Sequence, residues 1–249
     1  MLSDNQLKYT IGAIKLLKSI EKNILTTPPS SSTIQFDPII LELAHKPIER
    51  EQKRLLKQYG WRVCSVDRIE PRDESRTFSR FRDQFTKLNL WRADEYEAHY
   101  YFDADTLAVN NLNEFFRLHE KLNGETKRIG CAQDFREYDW VNTFNMGVFV
   151  IKPDVNEFKR LIAFKNDNSF KFDEYMSEQG FLNEVYKNKW LDIGFENNAN
   201  LAVYGRAAEY WREHENDINI IHYTWYKPWR CGSVYKKICD LWTKFDHCD

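Results

Sequence analysis

Short apolar or aromatic runs alternate along this chain with stretches whose hydrophobic residues recur every three or four positions, and this alternation constrains the fold more than any other feature. Leu7, Ile11, Ile14, Leu17, Ile20 and Ile24 keep helical spacing with lysines between them, which predicts an amphipathic helix from Leu7 to Ile24. A polar loop follows at 26–33, then a strand over Phe36–Leu43. Pro47 opens a helix over Ile48–Tyr59, and Gly60 closes it. Further strands are expected at Trp61–Val66, His99–Phe102, Phe144–Ile151 and Ile218–Ile221. Helices are expected at Asp83–Leu90, Asn156–Phe164, Ser177–Lys187 and Val234–Phe245. Strands interleaved with helices predict an α/β domain with a mostly parallel central sheet. Ligands of such sheets sit outside the carboxyl ends of the strands, so the residues that follow each strand carry the functional argument.

The 249 residues are 42% hydrophobic and 15% aromatic, enough for one core, and one domain is expected over 1–249. Lys+Arg 36 against Asp+Glu 38 gives a net charge of -2, which excludes the basic footprint of a nucleic-acid binder. No apolar run approaches the ~20 residues of a membrane helix. Lys8, Lys15, Lys18 and Lys22 interrupt any signal-peptide core near the N-terminus. Cys64, Cys131, Cys231, Cys239 and Cys248 are odd in number and lack CxxC spacing, so they read as reduced thiols, in keeping with a cytoplasmic location.

The sharpest chemical signal is Phe102-Asp103-Ala104-Asp105-Thr106. Two carboxylates around one small residue, at the end of an aromatic strand, are costly to bury without a cation. Mn2+ or Mg2+ prefers such oxygen ligands. A charged turn is the plain alternative. Another is the aspartate nucleophile of haloacid-dehalogenase-like phosphatases, but Thr106 falls three residues after Asp103 where that motif needs four, and no glycine precedes it. The stretch Arg68–Arg82, with Arg72, Arg76 and Arg80, reads either as a solvated loop or as a lid that meets phosphate.

Around that motif stand Phe85-Thr86-Lys87-Leu88 with Trp91, Asn111-Leu112 with Glu114-Phe115-Phe116, and Phe144-Asn145-Met146-Gly147-Val148-Phe149-Val150. Glu178-Gln179-Gly180-Phe181-Leu182-Asn183, Ile221-His222-Tyr223 and Lys227-Pro228-Trp229 follow. In this order, from roughly Asn5 to Trp229, the blocks resemble family 8 glycosyltransferases, the group of glycogenin and galactinol synthase. The resemblance implies a glycosyltransferase-A fold, a Rossmann-like arrangement, and a retaining hexosyltransferase that uses a UDP-sugar with Mn2+. It implies Asp103, Asp105 and His222 as metal ligands, with Ala104 beside the donor, Lys227 on the diphosphate and Lys87 on the donor. Asn145, Glu178, Gln179 and Asp134 would lie around the transferred sugar, and Asn5 and Tyr9 on the uracil side. The implied donors are UDP-glucose, UDP-galactose or UDP-N-acetylglucosamine. The implied acceptor is a glycan, protein or polyol hydroxyl; nucleic acid is not a partner, and a homodimer is left open. A catalytically inactive UDP-sugar-binding relative is the other reading that the same motifs allow. A Golgi location would follow if an anchor preceded this sequence.

The chain departs from the family pattern at several points. Only Met1 and Leu2 precede Ser3-Asp4-Asn5, so the family's opening strand is expected to be truncated or absent. Glu178 stands for the family's aspartate, with Asp173 as a competing match, and Trp225 stands near the glycine of a block that is one residue short. Tyr204 lies where glycogenin-like proteins carry a self-glucosylated tyrosine, although packing alone also accounts for a tyrosine there. Trp211 and Trp225 are candidate platforms for an acceptor sugar.

Overall fold

The structure is a computed structural model that describes residues 2–24 and 34–246, with the side chains of 6–24 and 34–245. The chain enters on helix α1 (Leu2–Asn23), five residues earlier than periodicity marks, and among the described residues no strand comes before it. Strand β1 (Ile39–Leu43), helix α2 (Arg50–Gln58) and β2 (Arg62–Val66) form a parallel two-stranded unit. The expected loop at 26–33 and Cys248 lie outside the described residues.

The central sheet has four strands in the order β3 (His99–Phe102), β6 (Asp139–Ile151), β5 (Ile129–Arg136), β7 (Trp190–Asp192). A second sheet has the order β4 (Thr106–Ala108), β9 (Ile220–His222), β8 (Ala199–Asn200). The expectation of a mostly parallel central sheet is corrected here. β3 and β5 both run antiparallel to β6, and only β5–β7 is parallel. The cause is local: β5 and β6 are joined by the two residues Glu137-Tyr138, with Glu137 at φ 56°, and so short a connection can only reverse the chain.

β6 carries the core on both faces. Val148 and Val150 point to one side, with Leu16 and Ile20 of α1 and with Phe115 and Phe116; Phe149 and Ile151 point to the other, with Phe85, Leu88 and Trp91. Helices α3 (Val155–Asn166) and α4 (Ser177–Val185) close that second face through Leu161, Phe181 and Leu182. Covering both faces makes 148–151 a continuous apolar run, each residue 0% exposed and each worth about 1.5–3 kcal/mol of burial. The expected helix near 83–90 is a 3-10 segment, Gln84–Arg92. After α5 (Leu201–Arg206) and α6 (Ala208–His214), the C-terminal helix is shorter than expected, α7 (Lys236–Thr243), with 3-10 turns at both ends.

The cysteine reading is also corrected. Cys231 and Cys239 form a disulfide with Cα atoms 6.3 Å apart, while Cys64 and Cys131 are free. The chain reverses through a 3-10 turn at Ser233–Tyr235 into α7, which brings a pair spaced by eight residues face to face. Among the described residues no helix is long and apolar enough to cross a membrane.

Candidate active site

Asp103 follows directly on β3, and its amide donates to Gly147 O (2.7 Å), which pins the strand end to β6. Asp105 lies two residues on, and its carbonyl accepts from Tyr223 N (2.9 Å). The Thr106 hydroxyl donates to Asp103 O (2.8 Å), so it is spent on main chain instead of standing beside a nucleophile as a phosphatase motif would require. His222 ends β9, which pairs with β4 in the register Thr106↔His222. Two strand ends therefore bring the histidine to the carboxylates: Nε2 is 3.7 Å from Asp103 Oδ2 and 3.7 Å from Asp105 Oδ1. One ligand atom from each of the three residues lies within 4.8 Å of the others.

The histidine is prepared by a residue that sequence reasoning missed. Asn145 Oδ1 accepts from Gly147 N (2.9 Å) and from Asn198 Nδ2 (3.0 Å). That fixes the Asn198 amide with its oxygen toward His222 Nδ1 (2.9 Å), so Nδ1 carries the hydrogen and Nε2 presents its lone pair to the carboxylates. Burial pushes the His222 pKa down; Asp105 and Asp103 push it up less, and the imidazole stays neutral, the form that binds a metal. Two carboxylates and a neutral imidazole fit a hard divalent cation. A side chain at 147 is excluded: a Cβ there would meet His222 Cε1 at 1.9 Å.

Two lysines flank the carboxylates. Lys87, on the 3-10 segment, is 8% exposed, 3.1 Å from Glu178 Oε1 and 3.4 Å from Asp103 Oδ1, and donates to Met146 O (3.3 Å). Burial lowers its pKa, but Asp103 and Glu178 outweigh that and hold it well above the usual lysine value. Burial raises the Asp103 carboxyl, yet Lys87 and the Tyr101 hydroxyl (2.8 Å) hold it below the ordinary range. Glu178 goes the other way, since burial outweighs Lys87 and leaves it raised. Lys227 pairs with Asp105 and donates to Tyr223 O (3.1 Å) and Thr224 O (3.3 Å).

The remaining predicted residues fall into two groups. Asp134 is buried and accepts from Gln179 Nε2 (3.1 Å), Asn145 Nδ2 (3.4 Å) and Arg136 Nε (3.0 Å), while Gln179 Oε1 accepts from Met146 N (3.1 Å). Glu178 pairs with Lys87 (3.1 Å), whereas Asp173 is exposed and caps a 3-10 turn through Met176 N. Tyr9 stands on α1 against Trp229 (4.9 Å), its hydroxyl raised by burial and within the field of Lys227, Asp105 and Asp103. Ala104 packs against Ala13 of α1, and its carbonyl is so close to Gly12 that a Cβ there would come within 2.3 Å. The Asn5 side chain is outside the described part.

Other expectations separate. Trp211 is 1% exposed and cannot serve as a platform, whereas Trp225 is 44% exposed with Arg206 stacked 4.2 Å above it. Tyr204 is half-buried edge-on to Trp211 (5.2 Å). The arginine stretch is anchored: Arg72 pairs with Glu174 and donates to Phe170 O (3.0 Å), and Arg68 pairs with Asp83 (2.8 Å).

The profile of glycosyl transferase family 8 matches residues 4–231. A glycogenin of Neurospora crassa is 26% identical over 166 residues, 64% of this chain and 22% of that protein. UDP-glucuronate:xylan alpha-glucuronosyltransferase 1 of Arabidopsis thaliana is 26% identical over 242 residues, 91% of this chain and 31% of that protein. This chain thus spans less than a third of the length of either relative. The galactosyltransferase LgtC, solved with donor and acceptor sugar analogues, superposes with a TM-score of 0.62 at 16% identity, over 95% of this chain and 91% of that one. An active-site mutant of LgtC gives a TM-score of 0.66 at 15% identity, over 96% and 91%. At these identities the likeness shows the fold, that of the glycosyltransferase-A enzymes.

Proposed function

The chain belongs to glycosyl transferase family 8, and on that footing we propose that it is a retaining hexosyltransferase, which moves a hexose from a UDP-sugar to an acceptor hydroxyl and leaves an α linkage. The observation that carries the reading is the convergence of Asp103, Asp105 and a neutral His222 on one point, with Lys227 against Asp105. These three residues would hold Mn2+ or Mg2+, whose chemistry is to stabilise charge that develops on the leaving diphosphate.

The chain's own groups supply the rest. Lys227 exchanges Asp105 for a phosphate oxygen when the donor arrives, so its charge follows the leaving group. Lys87 keeps Asp103 ionised and holds Glu178 beside the position of the sugar. Asp134, Asn145 and Gln179 present a fixed row of amide and carboxylate oxygens, suited to sugar hydroxyls and to an anomeric carbon that gains positive charge. Tyr9 borders the nucleotide side. The acceptor is the hydroxyl of a glycan, protein or polyol.

The test is a panel of UDP-glucose, UDP-galactose, UDP-N-acetylglucosamine and UDP-glucuronate, each with Mn2+, scored for free UDP. Release with Mn2+, its loss with a chelator and its loss in Asp103→Asn are expected. If no donor turns over while UDP and Mn2+ together still raise the Tm, the chain is a binding protein and the enzyme reading fails.

A further inference from the structure

Ser177 joins the 3-10 turn Glu174–Met176 to α4 with φ 54° and ψ -130°. That conformation strains any residue that has a Cβ and suits glycine. Among the described residues Glu137 and Asn188 also combine a side chain with positive φ, but both stand exposed in turns, whereas Ser177 is 0% exposed. The chain needs this corner. It folds Asp173 back against α4 so closely that a Cβ at Gly180 would meet Asp173 O at 2.1 Å.

The two residues after the corner are Glu178 and Gln179. Glu178 Oε1 is 3.1 Å from Lys87 Nζ. Gln179 reaches Asp134 through Nε2 (3.1 Å), and its Oε1 accepts from Met146 N (3.1 Å). A change of direction at Ser177 is therefore carried into both side chains. The corner is braced by the arginine-rich stretch. Arg72 pairs with Glu174, and Arg76 Nε lies 3.1 Å from Glu174 Oε2. Phe78 N donates to Tyr175 O (3.3 Å), and the two rings stack at 5.2 Å. Ser177 Oγ donates to Phe81 O (2.9 Å). A serine stands where glycine would sit without strain, and its hydroxyl makes a tie that glycine lacks.

We propose that Ser177 is a positioning residue: its hydroxyl ties a strained corner to the stretch 72–81, and this brace sets the direction of Glu178 and Gln179. The stretch then acts neither as a solvated loop nor as a lid, but as a fixed support for the side of the site that faces the transferred sugar. The effect on turnover rests on the hexosyltransferase reading; the brace itself does not.

The test compares Ser177→Ala with Ser177→Gly. Both lose the hydroxyl, and only alanine keeps the Cβ that the corner strains against. At an ordinary helix start alanine is the milder change of the two; here the order reverses. In Ser177→Ala kcat falls on the order of tenfold, and in Ser177→Gly roughly two- to threefold, while the Kd of UDP with Mn2+ stays that of the parent in both. A second readout needs no turnover. Amide exchange at Met146 quickens at least ~5-fold in Ser177→Ala, because its acceptor Gln179 is displaced. Exchange at Phe144, which donates to Asn183 Oδ1 (2.7 Å) one turn further along α4, stays unchanged. That pattern in a parent that turns over no donor upholds the brace and overturns the transferase reading alone. The proposal is overturned if alanine retains more kcat than glycine, if Met146 and Phe144 quicken together, if UDP affinity falls as far as kcat, or if neither variant differs from the parent.

Discussion

Replacing Lys87 by methionine tests the electrostatic framework of the site most directly. The ammonium lies 3.1 Å from Glu178 and 3.4 Å from Asp103, and all three groups are shielded from water to differing degrees. At an effective dielectric constant of ~20 each contact is a Coulomb attraction of about 5 kcal/mol, most of it offset by desolvation. Removing one member of a buried pair exposes the uncompensated remainder, about 3–5 kcal/mol. For a chain of this size that lowers the Tm by roughly 6–20 °C at about pH 7. The sign of the pH dependence follows from Glu178. Its folded pKa is already raised by burial, and losing Lys87 raises it further. A raised carboxyl adds stability below its unfolded pKa and loses it as pH rises through the folded value, so the variant recovers toward about pH 5. Scanning calorimetry at both pH values gives the comparison, and a second change, Glu178→Gln, restores part of the loss. Melting of Lys87→Met within ~2 °C of the parent at about pH 7, or a double variant no better than the single, refutes the reasoning.

Three further outcomes are expected. Lys227→Met frees the Asp105 carboxylate, so Mn2+ alone binds tighter, on the order of tenfold by Mn2+ electron paramagnetic resonance, while UDP binding weakens; unchanged affinity for both ligands removes Lys227 from the site. Gly147→Ala drives a methyl into His222, costs about 1–3 kcal/mol and abolishes Mn2+ binding by calorimetry, whereas Gly124→Ala, with open space around it, leaves metal affinity intact. Glu157 is raised by burial but held below its usual 4.5 by Arg160, Tyr186 and Arg128, so it stabilises the fold above that value and loses this as pH falls through the folded pKa. Glu157→Gln should therefore flatten the acid limb of urea midpoints measured against pH.

How legible the molecule is from sequence depends on how locally each feature is encoded. The aromatic strand at His99–Phe102 and the helix expected at Asn156–Phe164 are legible within a residue or two, because alternation and helical spacing are properties of neighbouring residues. β5 escaped because Gly130, Gln133 and Asp134 break its apolar run, and without it the reversal into β6 is invisible. Asp103, Asp105, His222 and Lys227 stand out by their motifs, and the fold brings them together. Asn198 carries no motif; its part arises from two contacts across the chain, and only coordinates reveal it. The disulfide is illegible in sequence for the same reason, since a spacing of eight residues acquires meaning only when a turn closes it.

That disulfide has a practical side. It closes a short loop just after the Lys227-Pro228-Trp229 segment and ties it to the start of α7, a constraint of about 2.5 kcal/mol on the unfolded chain. Reductant added during purification to keep Cys64 in its thiol form would also cut this tie. Samples prepared with and without reductant are then two species that differ by two hydrogen atoms. Their donor affinities and melting curves should be compared only after intact-mass spectrometry has shown which one is in the tube.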